Sequence, residues 1–381
     1  MAKPLRLSKF ELIGFSRAFA LPGETLPVQT RGLGTSDDED FHVWIKGFNE
    51  AITAQLTADG LTRNLAQASR FALVVNPDHS ADLYVDDFSL TMETLVKRDV
   101  SQNEPVFASD IGDIRKVSLP ELALTPEHRL IVCIRHGWKF ALLFDLNRGE
   151  PLDINWVQEA LAFVMRRLLF EKLYRSIEDN VGFQKLAQRG WFPFNELIGG
   201  EFERLQVSHL NDFDIESSER RIIASFTPER IERLTGRWWK REEFERRKEL
   251  LWEGVSLFAE GKFIACIKTL ITEIEGIIRD CRRVDTVSSA SFRDMLKATI
   301  DQTVERVGDA SSLYFPIHFL RYLEASFYAR FDPAVGTIEA WRHSASHGAA
   351  PPDAYTATRA LQTILVLDQI YRYLTLPEER P

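Results

Sequence analysis

An α+β fold is predicted by three observations. Short apolar runs bounded by turn residues fill the first 150 positions, apolar residues take up helical spacing after Asn155, and helical spacing dominates from Arg237 onward. The expected organisation is a mixed, β-rich N-terminal domain over 1–150, a helical connecting region over 151–236, and an all-α bundle over 237–381.

The N-terminal part holds two hairpin signatures. "FALVV" (71–75) and "ADLYVDDFSL" (81–90) flank the turn-forming "NPDHS", and "RLIVCI" (129–134) and "WKFALLFDL" (138–146) flank "RHG", where Gly137 can take a positive φ. Between β-like segments, "FHVWIKGFNEAITAQL" (41–56) reads as a helix. From position 155, Trp156, Ala160, Phe163, Val164, Leu168, Leu173 and Ile177 mark one long helical stripe. "GWFPFNELIGGEFERL" (190–205) predicts a turn before a short helix, and "RRIIASF" (220–226) allows a strand.

The bundle is expected to open with paired helices over 241–261 and 262–283, separated at Gly261, a common helix stop. A polar connection over 285–292, a helix over 292–307, the very apolar segment 313–331, and a closing helix over 353–374 complete it.

A formal net charge of −9 argues against coating nucleic acid by bulk electrostatics, which needs a dense positive surface. A local basic site remains compatible with that charge. The three cysteines, Cys133, Cys266 and Cys281, form no CxxC pair, so reduced thiols are expected, with no metal and no cofactor. Neither a glycine-rich phosphate loop nor HExxH or GxSxG occurs, which removes the usual support for ATP-driven, zinc-protease and α/β-hydrolase chemistry. The opening "MAKPLRLSKFELIGF" lacks a long apolar stretch, and no run of about 18 apolar residues appears, so a cytoplasmic protein with no membrane association is expected.

One stretch carries candidate chemistry: "AWRHSASHGAAPP" (340–352), which places Arg342, His343 and His347 ahead of the closing helix. Metal-free RNA cleavage requires that the 2′-hydroxyl lose a proton, that the crowded phosphorus bear extra negative charge, and that the leaving oxygen gain a proton. Imidazole suits either transfer because its pKa lies near working pH, and guanidinium suits the charge because it stays protonated and presents a fork of donors. Spacing alone selects nothing, since Arg204 and His209 repeat it. Context separates the two: Arg342 is followed at once by His343, and Gly348, Pro351 and Pro352 break the chain before the last helix. On a continuous helix His343 and His347 share a face while Arg342 lies about 140° from His347, so Arg342 must reach round or the segment must leave the helix.

"RHSASHG" (342–348), in an all-α bundle just before its closing helix, resembles the HEPN superfamily, as does the paired-helix segment 250–280 with its Glu275-Gly276 step. The likeness covers about 140 residues, and "GWFPFNEL" adds a similarity to uncharacterised bacterial HEPN-containing proteins. Many catalytic members carry Asn before the Arg, whereas Trp341 stands here. The resemblance implies a metal-independent endoribonuclease, usually dimeric, with Arg342 and His347 in catalytic roles and His343 in support. It also implies bacterial toxin–antitoxin or anti-phage biology, an RNA substrate, a homodimer through the C-terminal bundle, and an antitoxin or defence partner. The N-terminal part would then sense a trigger or select the RNA.

Two other readings stay open: Arg342 pairs with a carboxylate such as Glu275 while the histidines are solvated, or the bundle dimerises and binds protein, nucleotide or RNA without cutting. A structural partner subunit is a further option. "RWWKREEFERRK" (237–248) mixes aromatics with cations but reads as a solvated helix start, "DDED" (37–40) as an exposed loop, His136 as a turn residue and His318 as a buried, satisfied histidine.

Overall fold

The computed structural model describes residues 3–210, 214–282, 291–309, 311–328 and 350–376, and its α+β content agrees with the expected class. The chain divides into two compact units, one formed by 1–96 and 113–171, the other by 97–112 and 172–381.

The first unit is a six-stranded antiparallel sheet. Its strands are β1 (Leu5–Leu7), β4 (Arg31–Thr35), β5 (Arg70–Val75), β6 (Ala81–Val85), β9 (Arg129–His136) and β10 (Lys139–Asp145), in the order β1-β6-β5-β9-β10-β4. Two ribbons, β2 (Phe15–Ser16) with β3 (Val28–Gln29) and β7 (Thr91–Val96) with β8 (Ile111–Ser118), stand apart from it. Both expected hairpins form, with Val75 opposite Ala81 and Lys139 opposite His136, and Gly137 takes φ +57° at the second turn.

Alternation sorts each strand by face. Phe71, Leu73, Val75, Ile131, Cys133, Leu142 and Phe144 pack with Phe41, Trp44, Phe48, Ile52 and Leu56 of helix α1 (Glu39–Ala58). Phe144 is the hub, meeting Phe15, Trp44 and Phe48 edge-on at ring-centre distances of 5.7, 5.3 and 5.2 Å. The alternate residues Ala72, Val74, Leu130, Val132 and Leu143 are buried too, and helix α2 (Ile154–Leu169) packs along β10 and β4. Cover on both faces explains why "FALVV" is continuously apolar rather than alternating.

The single stripe expected over 155–179 is two helices. α2 stops at Phe170, where φ −119° and ψ 35° leave the helical region, and α3 (Glu171–Glu178) follows. A helical stripe does not register such a stop when both sides keep apolar spacing.

In the second unit follow α4 (Asn180–Gln188), α5 (Glu201–Leu210), α6 (Ile215–Ser225), α7 (Pro228–Gly236), α8 (Glu242–Glu245), α9 (Lys248–Ala259), α10 (Phe263–Arg282), α11 (Phe292–Val307), α12 (Pro316–Ala325) and α13 (Ala357–Thr375). The strand allowed at 220–226 is instead α6: Asp214 caps it by accepting from the Ser217 amide at 3.1 Å, and Ile215, Ser218 and Ile222 form its buried stripe. "GWFPFNEL" is an aromatic-rich turn as expected, with Phe192 against Phe319 (5.1 Å) and Phe194 against Tyr322 (5.6 Å).

The single helix expected over 241–261 is broken at Arg246–Arg247 between α8 and α9, and α9 and α10 pair around Gly261, which takes φ +74°. Their close approach depends on Gly254, where a Cβ would sit 2.4 Å from Leu270 Cδ2 and 2.6 Å from its Cγ. Gly276 similarly makes room for the Arg247 guanidinium, which donates to Glu273 (2.7 Å) and Asp280 (3.0 Å). Helix α13 packs against α6, α9, α10 and α11, and every residue from Arg359 to Tyr373 is buried. Among the described residues no helix is long and apolar enough to cross a membrane. The three cysteines are free, as expected.

Gly254→Ala is predicted to lower stability by about 1–3 kcal/mol through overpacking, although alanine favours an exposed helix by about 1 kcal/mol. Thermal denaturation of the two forms side by side checks the sign, and an unchanged or raised midpoint would contradict the proposed close contact.

Candidate functional site

The sequence-derived site residues Arg342, His343 and His347 lie outside the described residues. Their flank is described. Pro351 and Pro352 lead into a 3₁₀ turn (Pro352–Ala354), and Thr356 then caps α13 by accepting from the Arg359 amide at 3.2 Å. Glu275, named above as a carboxylate that could pair with Arg342, sits on α10 and accepts from Arg279 at 2.5 Å.

A polar cleft of about 430 Å³ opens at this end of α13, lined by Arg189, Glu216, Glu219, Arg220, Thr356, Thr358 and Arg359. Its back wall is fastened from two sides. Arg359 donates to the Arg189 carbonyl and to Gln362 Oε1, both at 2.7 Å, and Gln362 Nε2 donates to the same carbonyl at 3.0 Å. Glu219 is held by the Trp191 indole N–H at 2.7 Å. Among the described residues Arg220 pairs with Asp214 (3.4 Å) and Glu216 (3.8 Å), both exposed, and no carboxylate lies within ion-pair distance of Arg189. Lys268 lies 5.6 Å over the ring of Tyr355 just ahead of the cap.

Chemically this cleft can grip an anion. Arg189 and Arg220 offer guanidinium forks suited to phosphate oxygens, and the start of α13 adds the positive end of a 19-residue helix. No histidine is among its described lining residues. Proton transfer would have to come from groups supplied by another segment.

A second cluster was not anticipated from the sequence. Glu196, in the turn after α4, receives Arg237 (2.9 Å), Arg372 (3.0 Å) and Arg230 (3.3 Å). Asp368 on α13 receives Arg372 Nε (2.8 Å), Arg237 Nη2 (3.0 Å) and the Trp238 indole N–H (3.0 Å). Arg230 also forks onto Glu201 at 2.8 Å, and Lys97 donates to the Ile198 carbonyl at 2.8 Å. Trp238 is fully buried, so the aromatic pair expected at a solvated helix start is half core.

Burial alone would raise the Glu196 carboxyl, but Arg237, Arg372 and Arg230 outweigh it and hold the group down to about 2. Burial pushes the Lys97 ammonium the other way, down to about 8, against the pull of Glu196. Because carboxylates and guanidiniums satisfy one another, the cluster positions helices rather than offering reactive groups. Its sequence signal was Glu196 inside the aromatic-rich "WFPFNELIGG", and Asp368 with Arg372 four residues on, in step with the apolar stripe of Leu361, Ile364 and Leu365.

No protein-family model, curated protein or solved structure matches the chain.

Since the Glu196 pKa is lowered by folding, its stabilisation is complete above the ordinary carboxyl value of 4.5 and is lost as pH falls toward about 2. Glu196→Gln is predicted to cost about 3–5 kcal/mol at pH 7, because it leaves buried guanidiniums short of a counter-charge, and to flatten the acid limb. Hydrogen exchange of the α13 amides between pH 2 and 7 reads both effects; wild-type and variant curves of the same shape would contradict the assignment.

Proposed function

We propose that the C-terminal helical part is a metal-independent endoribonuclease of the HEPN type. The observation that carries this reading is the stretch "RHSASHG" running, through Pro351 and Pro352, into a fully buried closing helix whose first turn borders an arginine-lined cleft. The helical bundle and the exposed guanidiniums of Arg189 and Arg220 support it, because an RNA backbone needs phosphate contacts that position it as well as groups that react.

In this mechanism the RNA 2′-oxygen loses its proton and bonds to the adjacent phosphorus, and the bond to the 5′-oxygen breaks. His347 takes the first proton or supplies the one that the leaving oxygen gains, Arg342 stabilises the extra charge on the phosphorus oxygens, and His343 helps hold the phosphate. The products are a 2′,3′-cyclic phosphate and a 5′-hydroxyl. The biological setting we propose is cytoplasmic, in bacterial defence or toxin–antitoxin biology with an antitoxin or defence partner. A homodimer through the bundle would use an outer face such as that of α9 and α10, where Leu250, Trp252 and Ile264 are about half exposed, because α13 has no exposed stripe between Arg359 and Tyr373.

A binding module without cleavage is the second reading. It is favoured by the absence of an imidazole among the described cleft residues and by the self-satisfied charges of the Glu196 cluster.

Labelled RNA incubated with the full chain in EDTA separates the two. Cleavage by wild type, reduced at least about 100-fold by Arg342→Ala and by His347→Ala, is expected. Binding without cleavage would favour the module, and equal cutting by all three forms would reject the assignment. Arg189→Ala is predicted to raise KM several-fold with kcat nearly unchanged, since it removes a contact made equally in the ground and transition states.

A further inference from the structure

The polar cleft at the start of α13 holds a carboxylate that phosphate binding does not explain. Glu219 lines it together with Arg189 and Arg220. A carboxylate repels phosphate at close range. Among the described residues no lysine, arginine or histidine lies within ion-pair distance of Glu219 to cancel its charge. What holds it is the indole N–H of Trp191, 2.7 Å from Oε1, and among the described residues no other donor engages the carboxylate, so Oε2 is open.

That indole is firmly placed. Trp191 is fully buried, and the chain leading into it is fastened residue by residue. Arg359 and Gln362 donate to the Arg189 carbonyl, Tyr322 donates to the Gly190 carbonyl at 3.2 Å, and the Trp191 amide donates to the Leu186 carbonyl at 2.9 Å. On α6, Glu219 and Arg220 stand three and four residues after Glu216, so all three border the cleft from one side of the helix. The result is an acceptor oriented in advance beside guanidinium forks, which is how a site built for recognition differs from a patch of loose surface charge.

We infer that Glu219 reads the base of an RNA nucleotide held in this cleft, and that the base is guanine. The inference rests on the ribonuclease reading only in taking RNA as the occupant. The cleft, of about 430 Å³, is in the size range of small-ligand pockets. Guanine alone among the four bases sets two donors side by side on its Watson–Crick edge, N1–H and the 2-amino group, and an ionised carboxylate accepts from both. Adenine and cytosine set one amino donor beside a ring-nitrogen acceptor, and uracil flanks its single N–H with two carbonyls. Each of these turns lone pairs toward the carboxylate and is repelled. Guanine O6 and N7 are acceptors suited to a guanidinium, so Arg189 and Arg220 serve its other edge and the phosphate. Glu219 thereby selects which nucleotide occupies the cleft and takes no part in making or breaking bonds.

Calorimetric titration of the full chain with the 3′-monophosphates of guanosine, inosine, adenosine, cytidine and uridine tests this. The guanosine compound should bind at least about ten-fold tighter than the adenosine, cytidine and uridine compounds, with inosine, which lacks the 2-amino group, in between. Glu219→Gln keeps an acceptor for the Trp191 indole but turns an amide donor toward the base, and it should bring the guanosine-to-adenosine affinity ratio to within about two-fold. Melting by circular dichroism confirms that the variant is folded, and the comparison of guanosine with inosine needs no variant. No measurable guanosine 3′-monophosphate binding at millimolar concentration, equal affinity for guanosine and inosine, or a guanosine preference that persists in Glu219→Gln would each overturn the inference. Cleavage in EDTA of an RNA with all four bases unpaired separates it from the reading it rests on. Cutting without preference for guanosine overturns the present inference and leaves the ribonuclease standing, whereas guanosine-selective binding without cutting does the reverse.

Discussion

Two buried carboxylates, Glu196 and Asp368, hold three guanidiniums between them, and the arrangement of the helical unit depends on that exchange of charge. Neither sign could stand in this environment alone, because an unpaired buried ion costs several kcal/mol. The ions belong to segments far apart in sequence: the turn after α4, α7 with the residue that follows it, and α13. A slide of α13 by one turn would carry Asp368 and Arg372 about 5.4 Å from their partners. Fixing the register of that helix also fixes its first turn, where Thr356 and Arg359 border the polar cleft. What the pairing supplies is specificity of placement more than net stability, since well-packed apolar residues of similar volume can be equally stable in such positions.

Much of the scaffold was legible in the residues. Alternation and turn chemistry identified both hairpins, and periodicity found α1, α11 and α13, because each of these elements buries one well-marked face or is buried outright. Other readings failed for physical reasons. "RRIIASF" looks strand-like because Ile222 and Ile223 adjoin, but the Asp214 cap and the spacing of Ile215, Ser218 and Ile222 decide for helix. The stop at Phe170 leaves no mark in the sequence because apolar spacing persists across it.

The candidate site was legible only in part. Arg342, His343 and His347 stand out by residue type, whereas the cleft joins Arg189, Arg220 and Arg359, brought together by the packing of α4, α6 and α13. Sequence distance conceals such a grouping. Glu196 was concealed differently: as one acid in an aromatic-rich segment it gives no hint of its partners, which appear only when the helices are assembled. The net charge of −9 is likewise uninformative about the cleft, since a few exposed guanidiniums such as Arg189 and Arg220 set the local potential.

The chemistry proposed for the helical unit leaves a distinctive mark on its product, because attack by the neighbouring 2′-oxygen and attack by water give different ends. Mass spectrometry of the termini made by the full chain from a short defined RNA reads this directly. A 2′,3′-cyclic phosphate facing a 5′-hydroxyl is the predicted result; a 3′-hydroxyl facing a 5′-phosphate, or intact RNA throughout, would contradict the account.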